Sequence, residues 1–244
     1  MTAQALQAAQ HLVRAWTDGR HIDLLPPDCR PAALADGQAV QAHWGGLLGQ
    51  PVAGWKIAAT SLAGQRHIAV DGPLAGPVFG HRVLASGATV SLQHNRMRVA
   101  ECEVVFHFGD ALVPRAQGYT RAEVMAAVRD IGPGIEVPDS RFVHFERAGA
   151  AQLTADCACC NDMVLGPRLP MDLRADQLPD LAVQATLSDG RVLTGVGRNV
   201  MGDPVEALVW LVNTWSAAGR GRPPAGDRDH RGRPCARLST DRRA

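Results

Sequence analysis

Glu101 and Glu103 stand two residues apart in the run RVAECEVVFHFG, and Glu136 stands in the short apolar segment GIEVPDS. Side chains alternate along an extended strand, so the first two carboxylates project from one face. Two like charges among apolar neighbours repel. Such a pair is tolerated when a cation lies between them or when one member is protonated. With Glu136 as a third member the cluster offers hard oxygen ligands, which suit Mg2+ or Mn2+ rather than zinc. The same spacing also suits a solvated edge strand, with Glu136 paired to an arginine such as Arg141. Lys56 brings a second kind of chemistry. Of the 25 basic residues it is the single lysine. Guanidinium groups stay protonated in proteins, whereas an amine can give and take a proton.

These residues need strands to carry them, and the chain supplies short apolar runs punctuated by Gly and Pro: GWKIAAT, GPVFG, HRVLASGATVSL and RVAECEVVFHFG. The first fifty residues are different in kind. Leu6, Leu12, Val13 and Trp16 form one helical stripe ending at Gly19, and a second helix is expected over residues 35 to 48. A third helix is expected at Thr120, where Glu123 completes a capping box, and its end is placed at Gly132-Pro133-Gly134. GIEVPDS is a further strand, and residues up to about 155 are irregular. LAVQATLSDG and RVLTGVGRNV form a hairpin through Ser188, Asp189 and Gly190. Asp203, Pro204 and Glu206 open a final helix that runs to Gly219. The expected division is a helical N-terminal cap over residues 1 to 50, a β-rich catalytic domain over 51 to 219, and an arginine-rich tail over 220 to 244.

With 244 residues, 46% hydrophobic and 20% charged, the chain has enough material for a sizeable core, which excludes a disulfide-stapled miniprotein or a mostly disordered chain. Net charge is +1, but residues 219 to 244 hold eight Arg against three Asp, so the body is mildly acidic. That tail loses hydrophobic periodicity, and it lacks the interleaved aromatics that stack on bases, so no nucleic-acid partner is expected. The N-terminus lacks the charged and apolar regions of a signal peptide, and no segment is long and apolar enough for a membrane span. The expectation is a cytoplasmic protein with no membrane partner and reduced cysteines. Cys157, Cys159 and Cys160 lie close together without a second ligand pair, so no zinc site is expected.

GWKIAATS (54 to 61), VDGPLAG (70 to 76), RVAECEVVFHFG (98 to 109), IEVPDSRF (135 to 142) and TADCACC through VLG (154 to 166) resemble, in order and spacing, segments of the fumarylacetoacetate hydrolase superfamily. The likeness runs from about residue 5 to 219 and is nearest to the 2-keto-4-pentenoate hydratase branch. It implies an α+β fold, a distorted β-roll or barrel with a helical N-terminal segment, and a divalent metal at its mouth. The implied ligands are Glu101, Glu103 and Glu136, and the implied proton-transferring lysine is Lys56. Asp71 is a second catalytic candidate, and Asp139, Arg141 and Asp156 are substrate-binding candidates, although turn and strand-end hydrogen bonding accounts equally well for Asp71, Asp139 and Arg141.

The implied activity is hydration of a 2-hydroxy-2,4-dienoate to a 4-hydroxy-2-oxo acid in aromatic catabolism, by a homo-oligomer. Decarboxylation of a 2-oxo-3-hexenedioate is the alternative, as is a catalytically impaired member with an incomplete barrel. Acylpyruvate hydrolysis ranks below these, because no water-activating His and Glu pair presents itself. The chain departs from the pattern at Cys157, where Asn is usual, at Ala58, where Gly is usual, and in the tail. Residues 227 to 232 can be encoded by codons that, read one nucleotide later, give Thr-Val-Ile-Thr-Gly, close to what the family places there. A shifted frame is therefore one expectation for the tail.

Overall fold

The computed structural model describes residues 2 to 169, 175 to 218 and 235 to 239. Thr2 accepts from the Ala5 N–H and opens α1 (Ala3–Thr17), whose buried stripe is Ala5, Ala8, Ala9, Leu12 and Val13. The expected second helix is divided into α2 (Leu34–Gln41) and α3 (Trp44–Leu48). The break turns Trp44 into the core, where its indole N–H donates to the Ala155 carbonyl at 2.9 Å.

Next come β1 (Val52–Ala58), a short α4 (Leu62–His67) capped by Ser61, β2 (Leu74–Phe79) and β3 (Val83–Ala85). β4 (Glu101–Phe108) is followed by α5 (Arg121–Ala127), which opens with the expected Thr120 and Glu123 capping box. β5 (Val128–Val137), α6 (Ala150–Ala155), β6 (Asp162–Leu165) and the hairpin of β7 (Ala182–Thr186) and β8 (Val192–Val196) follow. Asp203 caps α7 (Pro204–Ala217), and β9 (Cys235–Ser239) is a strand within the tail. Residues 227 to 232, on which the shifted frame falls, lie outside the described residues.

The architecture is α+β with a helical N-terminal segment. β1 and β2 pair antiparallel. A five-stranded sheet runs in the order β3-β6-β5-β4-β9, with β3 and β6 parallel and the other pairs antiparallel. Among the described residues no hydrogen-bond ladder joins the β1–β2 pair to the five-stranded sheet. One core gathers α1, Trp44, Phe79 and Leu153 around the segment 157 to 160. The other packs Val104, Phe106 and Phe108 of β4 against α5 and α7, with the Trp55 and Trp215 rings 4.1 Å apart. No helix among the described residues is long and apolar enough to cross a membrane.

Gly132-Pro133-Gly134, expected to stop a helix, lies inside β5. The helix ends at Ala127, and the glycines serve close approach. A Cβ on Gly132 would lie 2.6 Å from the Pro167 carbonyl oxygen, and one on Gly134 2.8 Å from a Val105 methyl. Pro133 donates nothing to the ladder, but its carbonyl accepts from Gly166 at 2.9 Å.

Candidate metal and proton-transfer site

Pairing register brings the three carboxylates together. Glu101 and Glu103 share a face of β4, and Glu136 of β5 lies directly opposite Glu101. One oxygen from each falls within 4.8 Å of the others. Glu103 and Glu136 are buried, whereas Glu101 sits at the partly open mouth. Gly134 is the residue opposite Glu103, so that face stays clear of a competing side chain.

Lys56 approaches from the other sheet. It is 2% exposed, and its Nζ lies 3.3 Å from a Glu136 oxygen and donates to the Ala158 carbonyl at 2.8 Å. Burial pushes the ammonium down, but Glu136 and Glu101 outweigh it and hold the amine above its ordinary range. The all-oxygen donor set of three clustered carboxylates fits a hard divalent cation.

Lys56 reaches this position because Gly76, its partner on β2, has no side chain on the face they share. The backbone of residues 157 to 159 fills the space: a Cβ on Gly76 would lie 1.9 Å from the Cys157 carbonyl oxygen. Burial pushes the Cys159 thiol up to about 12, so it stays protonated near neutral pH.

Lys56 and Glu101 open onto a cavity of about 60 Å³ whose walls include Ile68, Leu74, Met97 and Phe145. His67 also lines it, its ring 5.8 Å from that of Phe145. These wall residues were not found from sequence, since apart from Leu74 at the start of β2 they come from α4 and from connections without a periodic signal. Ala58 lines the same cavity at the end of β1. The left-handed residue is its neighbour Ala59, at φ +57°, so the alanine at 58 takes up wall space without backbone strain.

The other candidates are placed elsewhere. Asp71 is exposed in the connection before β2 and does not line the cavity, because Val70 beside it takes the inward position. The side chains of Asp139, Arg141 and Asp156 are engaged by the fold. Asp139 accepts from the Arg96 and Met97 N–H groups at 2.9 and 3.3 Å and faces His21 at 3.3 Å, which fixes the segment leading into β4. Arg141 and Asp156 form an ion pair with side-chain exposures of 1% and 0%. A larger cavity, about 270 Å³, lies beyond this wall, lined by Trp16, Arg20, His21, His94, Asp139 and Arg141. It holds none of the three glutamates, whereas Glu101 and Lys56 line the smaller one.

An α+β roll with a glutamate triad and an adjoining buried lysine defines the class, and the fold is of the fumarylacetoacetate hydrolase type. A structure of 4-oxalocrotonate decarboxylase from Pseudomonas putida G7, complexed with magnesium and adipate, superposes with a TM-score of 0.80 over 98% of this chain and 88% of that one, at 23% identity. No family model matches the chain. Curated relatives do: 2-keto-4-pentenoate hydratase 1 of Dechloromonas aromatica (strain RCB) is 31% identical over 219 residues, 88% of this chain and 81% of that protein. The 2-keto-4-pentenoate hydratase of Paraburkholderia xenovorans (strain LB400) is 29% identical over 220 residues, covering 89% and 80%. The 2-hydroxyhexa-2,4-dienoate hydratase of Comamonas testosteroni is 32% identical over 173 residues, covering 70% and 64%. The chain belongs to the 2-keto-4-pentenoate hydratase family.

Proposed function

We propose that the protein is a divalent-metal-dependent hydro-lyase that adds water to a 2-hydroxy-2,4-dienoate, giving a 4-hydroxy-2-oxo acid. The observation that carries this is the meeting of Glu101, Glu103 and Glu136 within 4.8 Å, with the Lys56 amine 3.3 Å from Glu136. Glu101, Glu103 and Glu136 would hold a magnesium or manganese ion, which would supply Lewis-acid charge for the oxygens of a 2-oxo acid. Lys56, beside Glu136, would deliver a proton to the far carbon of the dienol and take up the proton that its 2-hydroxyl releases, so that ketonisation leaves the amine as it began. The resulting unsaturated ketone is open to water at C4. The Ala158 carbonyl orients the amine, and Ile68, Leu74, Met97 and Phe145 receive the hydrocarbon end and keep bulk water from it.

Decarboxylation of 2-oxohex-3-enedioate uses the same acids and amine, but its second carboxylate needs a cationic partner. Among the described residues lining the cavity, Lys56 and His67 are the basic ones, and Lys56 is engaged by Glu136. Ile68, Leu74, Met97 and Phe145 on that wall suit the hydrocarbon end of the dienoate. The test is turnover of 2-hydroxypenta-2,4-dienoate, followed as absorbance loss with and without Mg2+, beside Glu103→Ala. Metal-dependent loss that the folded variant lacks supports hydration. Carbon dioxide release from 2-oxohex-3-enedioate with the dienoate untouched transfers the assignment to the decarboxylase, and turnover of neither substrate marks an impaired member of the family.

A further inference from the structure

Cys157, Ala158 and Cys159 hold φ of +54°, +50° and +61°, three successive non-glycine residues in a conformation that L residues avoid. Such a turn persists only where its surroundings over-determine it. On one side lies Gly76, whose missing Cβ makes room for the Cys157 carbonyl. On the other lies Arg141. Its Nη2 donates to the Asp156 carbonyl, its Nη1 to the Cys160 carbonyl at 2.9 Å, and its Nε to the Asp156 carboxylate. One planar fork thus grips both ends of the turn. Asp156 also accepts from the Ser140 hydroxyl at 2.7 Å and the Arg141 N–H at 3.0 Å. The Trp16 and Trp44 rings confine the guanidinium, their centroids 5.4 and 5.3 Å from its carbon. The central carbonyl of the turn, that of Ala158, is the acceptor for Lys56.

We infer that Arg141 is a positioning residue for Lys56, bracing the turn so that the Ala158 carbonyl holds the amine beside Glu136. All three guanidinium nitrogens are engaged within the fold, which sets this role apart from the substrate contact expected of Arg141 from sequence. The kinetic part of the inference rests on Lys56 transferring the proton in the proposed hydration; the placement of the amine does not.

Lys56 is the single lysine, so a chain labelled with 15N at lysine Nζ has one side-chain signal to follow. The decisive variant is Arg141→Met with Asp156→Leu, because replacing both members of a buried pair by apolar groups of similar size is often tolerated. Asp156→Asn, which keeps size and one acceptor, decides the matter where the double variant does not fold. In the folded variant the Nζ signal shifts or broadens. With Mg2+ and 2-hydroxypenta-2,4-dienoate, kcat falls about 10- to 100-fold, while KM stays within about threefold. A folded variant with the wild-type Nζ signal and kcat overturns the inference and leaves a merely structural ion pair. A raised KM with kcat kept also overturns it and puts Arg141 at the substrate. If the wild-type chain turns over no dienoate but the variant still moves the Nζ signal, the hydratase assignment fails and the positioning stands.

Discussion

Lys56 and the triad were legible residue by residue because each departs from its surroundings: one amine among arginines, and three acids inside apolar runs. Their roles separate under substitution. Lys56→Gln removes the ammonium and leaves Glu136 buried beside two further carboxylates, a loss of about 3–5 kcal/mol by analogy with other broken buried pairs. It also lowers kcat by about 10²- to 10⁴-fold, the usual worth of a positioned acid. Lys56→Arg keeps the charge but cannot release a proton, so it loses as much kcat with a smaller change in thermal midpoint. Retained turnover in a folded Lys56→Arg chain would assign the proton to another group. The pairing of Arg141 with Asp156 was not legible, because sequence reveals a charged residue in an apolar stretch without revealing what meets it. The partner of Arg141 lies fifteen residues away, at the foot of a turn of unusual handedness.

At the scale of elements, strand alternation foretold that Glu101 and Glu103 share a face, and the register of β4 with β5 supplied what alternation cannot, the place of Glu136. Glycines were the weaker guide. Gly132 and Gly134 mark close approach within a strand, and a glycine kept for contact resembles one kept for a turn until its neighbours are known. Gly76 is the contact with consequences for function. Gly76→Ala sets a methyl against the Cys157 carbonyl, so the turn must move; a loss of about 1–3 kcal/mol is expected in denaturant unfolding, together with reduced turnover. Gly72→Ala is the control, since a Cβ there meets nothing within 4 Å and neither measurement should change. Equal effects at both positions would detach the close approach at Gly76 from stability and activity. The capping box of α5 has a pH signature of its own. Arg115, with Thr120, holds Glu123 well below its ordinary 4.5, at about 2. A lowered carboxylate stabilises fully above its unfolded value and loses that contribution as pH falls through the folded one. Glu123→Gln should therefore lower the thermal midpoint above about pH 4.5 and converge with wild type near pH 2; parallel midpoints across that range would show that the exposed pair contributes nothing.

For the whole molecule, the β1–β2 pair and the five-stranded sheet meet at a cluster of three carboxylates, so folding and ion binding are linked. A ligand that binds only the folded chain stabilises it by about 2.7 kcal/mol at one hundred times its dissociation constant. In a chain of this size each kcal/mol moves the thermal midpoint by about 2–4 °C. Saturating Mg2+ should therefore raise the midpoint by about 5–10 °C over a sample in chelator. Glu103→Gln separates this from general salt effects because it acts in opposite directions on the two samples. In chelator it removes one of three mutually repelling carboxylates, the more deeply placed neighbour of Glu101, and should leave the midpoint unchanged or higher. With Mg2+ it lacks a ligand and should gain little, so the order of the two proteins reverses on adding the ion. A wild-type midpoint indifferent to Mg2+ and Mn2+, or a variant below wild type by the same margin in both buffers, would mean that the acids are held together by the fold for a reason other than a cation.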